Sequence, residues 1–403
     1  MTPIFCSLVH TGMNATSSGR LTPCCSSAYG YVAEEKNNKS LADKLNHINL
    51  IRVRSQLKTG IWPSECNTCK KAELTNTDSL RTVFNTYRSN RGLEDTCIGI
   101  IKPSDVYSLH VSVGNKCNSK CMTCNPGSSS LWQEEWNTIW NMKGITNNSD
   151  SILDNPVLVD ELVNDFTNLK KITFLGGEPT INNNHLVYLH RLMAEGRSDD
   201  IDLGYVTNLT GIDDSLLEVW SNFRNIDLNI SLDAYGEKND YIRYPIRWTK
   251  VESNLRKFLD WASKDKVSIG LSLTPSVFNC IHLDEVYMFW HKLLVEYNLP
   301  MSYGVALNKI TYPMYTSMRI TTLEYRQQGI VKLLSVRQQL PIEFHNSIDY
   351  AIEMLNEPIL DNDIIETGKR FIEQSDRYRN KNIKDYVPEL YNELWKNNVL
   401  RWQ

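Results

Sequence analysis

The chain has 403 residues, of which 41% are hydrophobic and 22% are charged. These proportions are typical of a folded globular protein and exclude a disordered or fibrous chain. The formal net charge of −4 provides no basic excess for binding nucleic acid or an anionic membrane surface. No segment approaches the roughly 18 apolar residues of a membrane span, and the N-terminal stretch lacks the features of a secretory signal. We therefore expect a cytoplasmic protein with no membrane partner.

The first region, residues 1–104, is rich in loops and shows only short amphipathic stretches. It is therefore predicted to have too small an apolar core to fold without an additional stabilising feature. Cys6 and Cys24 form the pattern C-x12-G-x4-C, and Cys66 and Cys69 form a later C-x2-C. In a cytoplasmic protein, clustered thiols are interpreted as metal ligands. If the two cysteine pairs bound one zinc ion or one 4Fe-4S cluster, that metal site would stabilise the fold of this region. Cys25 could ligate in place of Cys24.

The second region, residues 105–320, alternates short β-like runs with helical periods. The runs are YSLHVSV, KKITFL, IDLGYV, IDLNISL, KVSIGLSL and MSYGVAL. Six βα units predict an α/β fold in which a parallel sheet curls into a partial (β/α)6 barrel. Ligands of such sheets bind at the carboxyl ends of the strands. The third region, residues 321–403, has apolar stripes at helical spacing and is predicted to be a helical C-terminal extension.

Three cysteines follow the first strand in the loop GNKCNSKCMTCN. Cys117, Cys121 and Cys124 lie within eight residues, so their thiolates can reach one inorganic centre. A structural zinc site and a 4Fe-4S cluster both usually have four protein ligands, so three cysteines imply a cluster with one iron left open. The alternative is a zinc site or a buried cluster of thiols, with Cys97 or His110 as the fourth ligand.

Polar or glycine-rich segments stand at the ends of the next strands. Gly176 and Gly177 offer a backbone without Cβ atoms that a ligand can approach closely, and Glu178 adds a carboxylate. Asn208 follows the third strand. A simple turn at the glycines and a helix-capping role for Asn208 are the structural alternatives.

Three further candidates lie at the end of the fourth strand and in the segment after it. Ser231 and Asp233 lie on the same side of an extended strand, because side chains alternate with a period of two. Arg243 could hold a cofactor carboxylate through its two-pronged guanidinium. The alternatives are a loop-capping role for Asp233 and, for Arg243, a surface ion pair with Asp240, three residues earlier.

The C-x3-C-x2-C spacing directly after the first strand resembles the cluster loop of the radical S-adenosylmethionine (radical SAM) superfamily. The resemblance implies a 4Fe-4S cluster on the three cysteines, with the amino and carboxylate groups of S-adenosylmethionine on the fourth iron. Reductive cleavage then gives a deoxyadenosyl radical that abstracts a hydrogen atom from the substrate. Thr123 departs from the family pattern, which usually has an aromatic residue just before the third cysteine.

The segment GGEP is similar to the glycine-rich motif of the same family, which binds the amino group of S-adenosylmethionine. The resemblance therefore implies a set of cofactor contacts spread over the strand ends. They are Thr123, Gly176, Gly177, Glu178, Asn208, Ser231, Asp233 and Arg243.

The N-terminal cysteines resemble the twitch and SPASM extensions of radical SAM enzymes. This resemblance implies an auxiliary 4Fe-4S cluster ligated by Cys6, Cys24, Cys66 and Cys69. Because protein residues would ligate all four irons of such a cluster, it suits electron transfer. Because relatives with such extensions often modify ribosomally made peptides, the implied activity is that of an oxidoreductase or peptide-modifying enzyme. An external one-electron donor such as flavodoxin or ferredoxin would be its partner. The alternatives are a small-molecule dehydrogenase acting on an alcohol or sugar, and a non-catalytic iron-sulfur or zinc protein.

Overall fold

The computed structural model describes residues 2–16, 19–27, 40–74, 78–93, 99–142, 150–262 and 266–396. The strands are β1 (Gly12–Ala15), β2 (Leu21–Thr22), β3 (Ser108–Ser112), β4 (Lys171–Leu175), β5 (Asp202–Thr207), β6 (Asn225–Ser231), β7 (Val267–Leu273) and β8 (Val305–Leu307). The first eight helices are α1 (Ser7–His10), α2 (Leu41–Leu45), α3 (Ile48–Lys58), α4 (Asn67–Leu74), α5 (Leu80–Asn90), α6 (Gln133–Ile139), α7 (Pro156–Asn164) and α8 (Asn184–Ala194). The later helices are α9 (Asp214–Ser221), α10 (Glu237–Ile242), α11 (Trp248–Trp261), α12 (Leu283–Glu296), α13 (Leu323–Arg337), α14 (His345–Leu355), α15 (Asn362–Arg379), α16 (Ile383–Tyr386) and α17 (Pro388–Tyr391).

The strands form one eight-stranded, mostly parallel sheet in the order β2-β1-β3-β4-β5-β6-β7-β8. Each of the six predicted runs overlaps one of the strands β3 to β8, to within one residue at its ends for β5 and β6, so the α/β class is confirmed. The sheet has two strands that the sequence did not predict. β1 pairs parallel with β3, and β2 pairs antiparallel with β1. Both are short and lack the alternation of apolar and polar residues by which strands are recognised.

The chain divides into two compact units, neither of which is continuous in sequence. The first unit consists of Met1–Asn115, Ser149–Tyr205 and Glu218–Ile226, and the second consists of Lys116–Asn148, Val206–Leu217 and Asp227–Gln403. The domain limits 1–104, 105–320 and 321–403 stay a prediction. No helix in the described ranges is long and apolar enough to cross a membrane.

In the first unit, α5 covers polar side chains at the amino ends of strands. The helix begins with a capping box in which Ser79 and Thr82 satisfy each other's backbone N–H groups. The Tyr87 hydroxyl donates a hydrogen bond to the buried carboxylate of Asp202, and the Lys171 ammonium lies 4.6 Å from the centre of the Tyr87 ring. These contacts supply partners for charges that would be costly to bury alone.

The second unit has an aromatic core between α6 and α15. Trp132, Trp136 and Trp140 recur at a spacing of four residues and pack on Phe371, with ring centroids 5.8 to 6.5 Å apart. Side chains four apart share one helical face, so this stripe holds α15 against the segment that follows the three cysteines.

Candidate functional site

The three cysteines of the second unit lie together in one irregular loop, residues 117–124, called the cysteine loop below. The Ser119 hydroxyl lies 3.3 Å from the sulfur of Cys117 and 3.4 Å from that of Cys121. Cys121 is also hydrogen-bonded to Cys124. Cys121 is buried, and the other two are half-buried. The structure thus brings the three predicted thiols together, with Ser119 between two of them.

The surroundings of Cys121 favour its thiolate form, the form that binds metal. The hydrogen bond from Cys124 and, to a smaller extent, the nearby Arg243 guanidinium lower the pKa of Cys121 to about 6 against the opposing effect of burial. The same hydrogen bond, together with burial, raises the pKa of Cys124. Of the two sulfurs, that of Cys121 is therefore the more readily deprotonated.

Backbone hydrogen bonds hold the cysteine loop in place. The N–H groups of Lys120 and Met122, on either side of Cys121, donate to the carbonyl oxygens of Tyr244 and Ile242, each at 2.7 Å. The Cys121 carbonyl accepts a hydrogen bond from the Trp132 indole at 3.0 Å. Since backbone groups in buried loops need partners, these bonds specify one conformation of the loop.

Arg243 is paired with Asp233, and both side chains are largely or fully buried. Its Nη1 donates to Asp233 Oδ2 at 2.7 Å, and the Thr274 N–H donates to the other carboxylate oxygen at 3.1 Å. Burial acts to lower the pKa of Arg243, but the anionic groups of Cys121 and Asp233 outweigh it and raise that pKa. Among the described residues, Arg243 Nε is buried without a hydrogen-bond partner.

The alternative pair between Asp240 and Arg243 is not formed. Asp240 instead accepts a hydrogen bond from the Trp248 N–H at 2.5 Å, at the start of α11, and lies 3.5 Å from Arg247. The carboxylate of Asp240 therefore stabilises the amino end of a helix, where negative charge is favourable.

Asn208 connects its strand end to the cysteine loop. Its amide donates to Asn118 Oδ1 at 3.0 Å, and the Asn118 amide in turn donates to Thr210 Oγ1 at 2.7 Å. The Asn208 oxygen also accepts from the Thr210 N–H at 3.0 Å. Ser231, the last residue of β6, and Thr123, between two of the cysteines, are both half-buried.

The GGEP segment lies in the first unit, where its first glycine has a steric role. Gly176 has φ +121°, and a Cβ there would lie 2.5 Å from the carbonyl oxygen of Gly114 and 2.6 Å from Ser112 Oγ. The Gly177 N–H donates to the same Gly114 oxygen at 2.8 Å. Glu178 is buried and accepts from Thr180 N and Oγ1 at 3.1 and 2.7 Å. The motif therefore fixes the backbone around Gly114, three residues before Cys117.

The four N-terminal cysteines line one cavity in the first unit, called the cysteine cavity below. Cys6 immediately precedes α1, and Cys24 follows β2. Cys66 immediately precedes α4, and Cys69 lies in the first turn of that helix. Cys25 is exposed and is not part of the lining. Most of the remaining lining is apolar, and it includes Leu8, Val9, Leu57, Trp62 and Leu80.

The thiols of the cysteine cavity are electrostatically coupled. Burial raises the pKa of Cys6 and of Cys66 to about 12 each, and repulsion between the neighbouring thiolates adds to the effect. Burial and neighbouring sulfurs also raise the pKa of Cys24. Four soft thiol donors in one apolar cavity match the ligand chemistry of an iron-sulfur cluster. In the described part of the chain, no group of three or more His, Cys, Asp or Glu side chains is arranged to hold a metal ion.

His110 and Cys97 are the alternative fourth ligands that the sequence offers for the three cysteines. His110, in β3 of the first unit, has both ring nitrogens buried without hydrogen-bond partners among the described residues, and its ring centroid lies 5.0 Å from that of Phe84. Burial lowers the pKa of His110 to about 4. Cys97 lies outside the described residues. Cys280 is a buried core residue of the second unit.

Comparison with known proteins supports the resemblance for one segment. Residues 111–275, which include the cysteine loop and most of the strand ends, match the model of the Radical SAM superfamily. No curated protein matches the chain.

Solved structures share only limited similarity with the chain. Native anSMEcpe with bound AdoMet is 18% identical with a TM-score of 0.42, over 58% of this chain and 61% of that one. Streptococcus suis SuiB bound to the precursor peptide SuiA is 15% identical with a TM-score of 0.36, over 75% and 64%. TYW1 with a lysine-pyruvate adduct is 14% identical with a TM-score of 0.28, over 58% and 70%. The chain thus spans about three fifths of the length of anSMEcpe.

Sequence reasoning missed the residues that support the cysteine loop. Ser119 could have been noticed as a hydroxyl between two cysteines, and Trp132 as a donor eleven residues from Cys121. The Asp233 partner of Arg243 lies ten residues away, outside the helical spacing that suggested Asp240.

Proposed function

We propose that this protein is a radical SAM enzyme whose 4Fe-4S cluster is held by Cys117, Cys121 and Cys124. The observation that carries the proposal is the gathering of these three thiols in one loop, where Ser119 lies between Cys117 and Cys121 and Cys124 contacts Cys121, inside a segment that matches the Radical SAM model. When bound, the cluster would supply the electron for cleaving S-adenosylmethionine to the deoxyadenosyl radical that abstracts a substrate hydrogen. The residues of the chain bind and orient the reactants and exclude water from them.

Arg243 is the residue we propose for the carboxylate of S-adenosylmethionine. Its Nε has no partner among the described residues, and Asp233 holds its Nη1. A buried guanidinium fixed in this way can donate to a carboxylate without first losing a hydrogen bond. The side-chain oxygens of Asn208 and Asp233 already accept hydrogen bonds from other residues of the protein. We therefore propose that Asn208 acts by orienting Asn118 and that Asp233 acts by orienting Arg243.

The remaining proposed cofactor contacts rest on the family resemblance. They are Thr123, Ser231 and the segment Gly176, Gly177 and Glu178. For Gly176 the close approach of Gly114 gives a structural reason for glycine besides any contact with a ligand.

The substrate we propose is a peptide, because the N-terminal cysteines resemble those of peptide-modifying relatives. A polar, half-exposed face of β6 and β7 supports a substrate that forms hydrogen bonds. On this face Ser268 Oγ donates to Asp227 at 2.9 Å, and Asn229 and Ser231 are half-buried. An alcohol or sugar would find the same donors and acceptors, so a small-molecule dehydrogenase is the second candidate. Turnover assays with peptides and with polyols distinguish the two.

We further propose that the cysteine cavity holds an auxiliary 4Fe-4S cluster on Cys6, Cys24, Cys66 and Cys69. With all its irons ligated by protein, it would transfer electrons, for example from flavodoxin or ferredoxin. Two clusters predict about eight irons per chain after anaerobic reconstitution, and Cys66→Ala should keep about four. Stoichiometric zinc with about four irons in the unaltered protein would refute the auxiliary cluster and leave the radical SAM assignment standing.

Cleavage of S-adenosylmethionine by the reduced protein tests the main proposal. Cys121→Ala should abolish formation of deoxyadenosine, because the cluster loses its most buried ligand. Cys280→Ala is the matched control, since it removes a buried cysteine of the same unit that we place outside the site. Retained cleavage in Cys121→Ala would show that the assigned loop is not the catalytic site.

A further inference from the structure

The last long helix, α15, ends at an arginine that reaches the cysteine loop. Arg379 is buried, and its Nη2 donates to the carbonyl oxygen of Lys120 at 2.8 Å. Its Nη1 lies 3.1 Å from the sulfur of Met122. The contacts of Arg379 therefore fall on both neighbours of Cys121, across 259 and 257 positions of the chain.

The guanidinium of Arg379 is fixed by a buried carboxylate. Its Nε donates to Glu135 Oε1 at 2.8 Å, and the Lys120 ammonium lies 2.6 Å from Glu135 Oε2. The side chain of Glu135 is fully buried, and that of Arg379 is 2% exposed. One carboxylate thus joins a cation from α15 to a cation from the cysteine loop, in surroundings where a missing partner would be costly.

Two aromatic rings further restrict the position of the guanidinium. Its central carbon lies 4.7 Å from the centre of the Trp132 ring and 5.0 Å from that of Tyr244. Both residues also hydrogen-bond the cysteine loop, Trp132 at the Cys121 carbonyl and Tyr244 at the Lys120 N–H. A planar, delocalised cation suits this site better than the compact ammonium of lysine.

We propose that Arg379 is a positioning residue for the cluster site, which fixes Cys121 relative to Cys117 and Cys124. The helical C-terminal extension is then a structural part of the site. The role of these cysteines as cluster ligands rests on the function proposed above, whereas the effect of Arg379 on the loop can be measured without any cluster.

Hydrogen exchange of the reduced, metal-free, full-length chain gives that measurement. Arg379→Lys keeps the charge but loses the forked geometry, so peptides covering residues 117–124 should exchange at least about tenfold faster. One hydrogen bond to a charged group is worth that factor or more in an opening equilibrium. Arg377→Lys is the matched control, since Arg377 is exposed in the same helical turn. Equal exchange of the cysteine loop in Arg379→Lys and the unaltered protein would overturn the proposal.

A second variant and a spectroscopic readout complete the test. If Arg379→Lys does not fold, Glu135→Gln takes its place, because it removes the charge opposite Arg379 and keeps the side-chain shape. Since Glu135 also pairs with Lys120, Lys120→Gln is its control, and Glu135→Gln should accelerate exchange of the cysteine loop more than Lys120→Gln does; equal exchange in these two variants would overturn the proposal. In reconstituted protein lacking the auxiliary ligands Cys66 and Cys69, Arg379→Lys should alter the electron paramagnetic resonance spectrum of the reduced cluster, and Arg377→Lys should not. An unaltered protein that binds no cluster would refute the proposed function, while the exchange result would still decide the role of Arg379.

Discussion

Replacing Gly176 with alanine should destabilise the first unit for two separable reasons. The φ of +121° is one that residues with a Cβ rarely adopt, which costs about 1 to 3 kcal/mol. The added Cβ would also lie 2.5 Å from the Gly114 carbonyl oxygen and 2.6 Å from Ser112 Oγ, so backbone must move. Overpacking of this kind costs about 1 to 3 kcal/mol more.

The expected loss is therefore about 4 kcal/mol in the free energy of unfolding, as the sum of the two effects. Urea unfolding followed by circular dichroism measures it as a shift of the midpoint at constant slope. Gly196→Ala provides a positive φ without the steric contact, because Gly196 has φ +65° and no heavy atom within 4 Å of the position that a Cβ would take. That control should lose only about 1 kcal/mol.

Equal losses for Gly176→Ala and Gly196→Ala would refute the steric argument. The close approach of Gly114 would then have no energetic weight, and the requirement for glycine at position 176 would come from its backbone conformation. A larger loss at Gly176 with retained binding of S-adenosylmethionine would instead assign this glycine to the packing of the backbone.

Two further substitutions test buried and half-buried carboxylates. Burial opposes the shift, but hydrogen bonds from His282 and Lys238 lower the pKa of Glu285 to about 2. Its stabilising effect should be complete above a pH of about 4.5 and be lost as the pH falls through 2. In urea unfolding, Glu285→Gln should therefore lower the free energy of unfolding by about 1 kcal/mol at pH 7 and leave it unchanged at pH 2. Tyr87→Phe removes a hydrogen bond to buried Asp202 and should lower the free energy of unfolding by about 1.5 to 3 kcal/mol at pH 7. A decrease below about 0.5 kcal/mol, the usual scatter for surface substitutions, would contradict the importance of this contact.

The parallel strands and the cysteine loop could be predicted because their signals are local. The apolar runs of β3 to β8 are each bounded by polar segments, and the three thiols stand within eight residues. β1 has four residues, Gly-Met-Asn-Ala, and is buried along its whole length because it pairs with β3. Its strand character comes from that pairing, which a single stretch of sequence does not reveal.

The partners of the site residues were harder to predict, because they lie far apart in sequence. Arg379 reaches Lys120 across 259 positions, and no spacing rule links an arginine at a helix end to a loop so distant. Arg243 pairs with Asp233, although the helical spacing favoured Asp240. In both cases burial decided the pairing, since a buried guanidinium needs a carboxylate in the same interior.

The position of α5 has a practical consequence for anyone seeking a minimal version of this protein. Deleting the first hundred residues would uncover the starts of β4 and β5, where Asp202 would lose the Tyr87 hydroxyl and Lys171 would lose an aromatic ring. It would also expose the edge of β3, which β1 now covers. A shortened chain would thus present unpaired backbone to its neighbours and tend to aggregate, so purification should begin from the whole polypeptide.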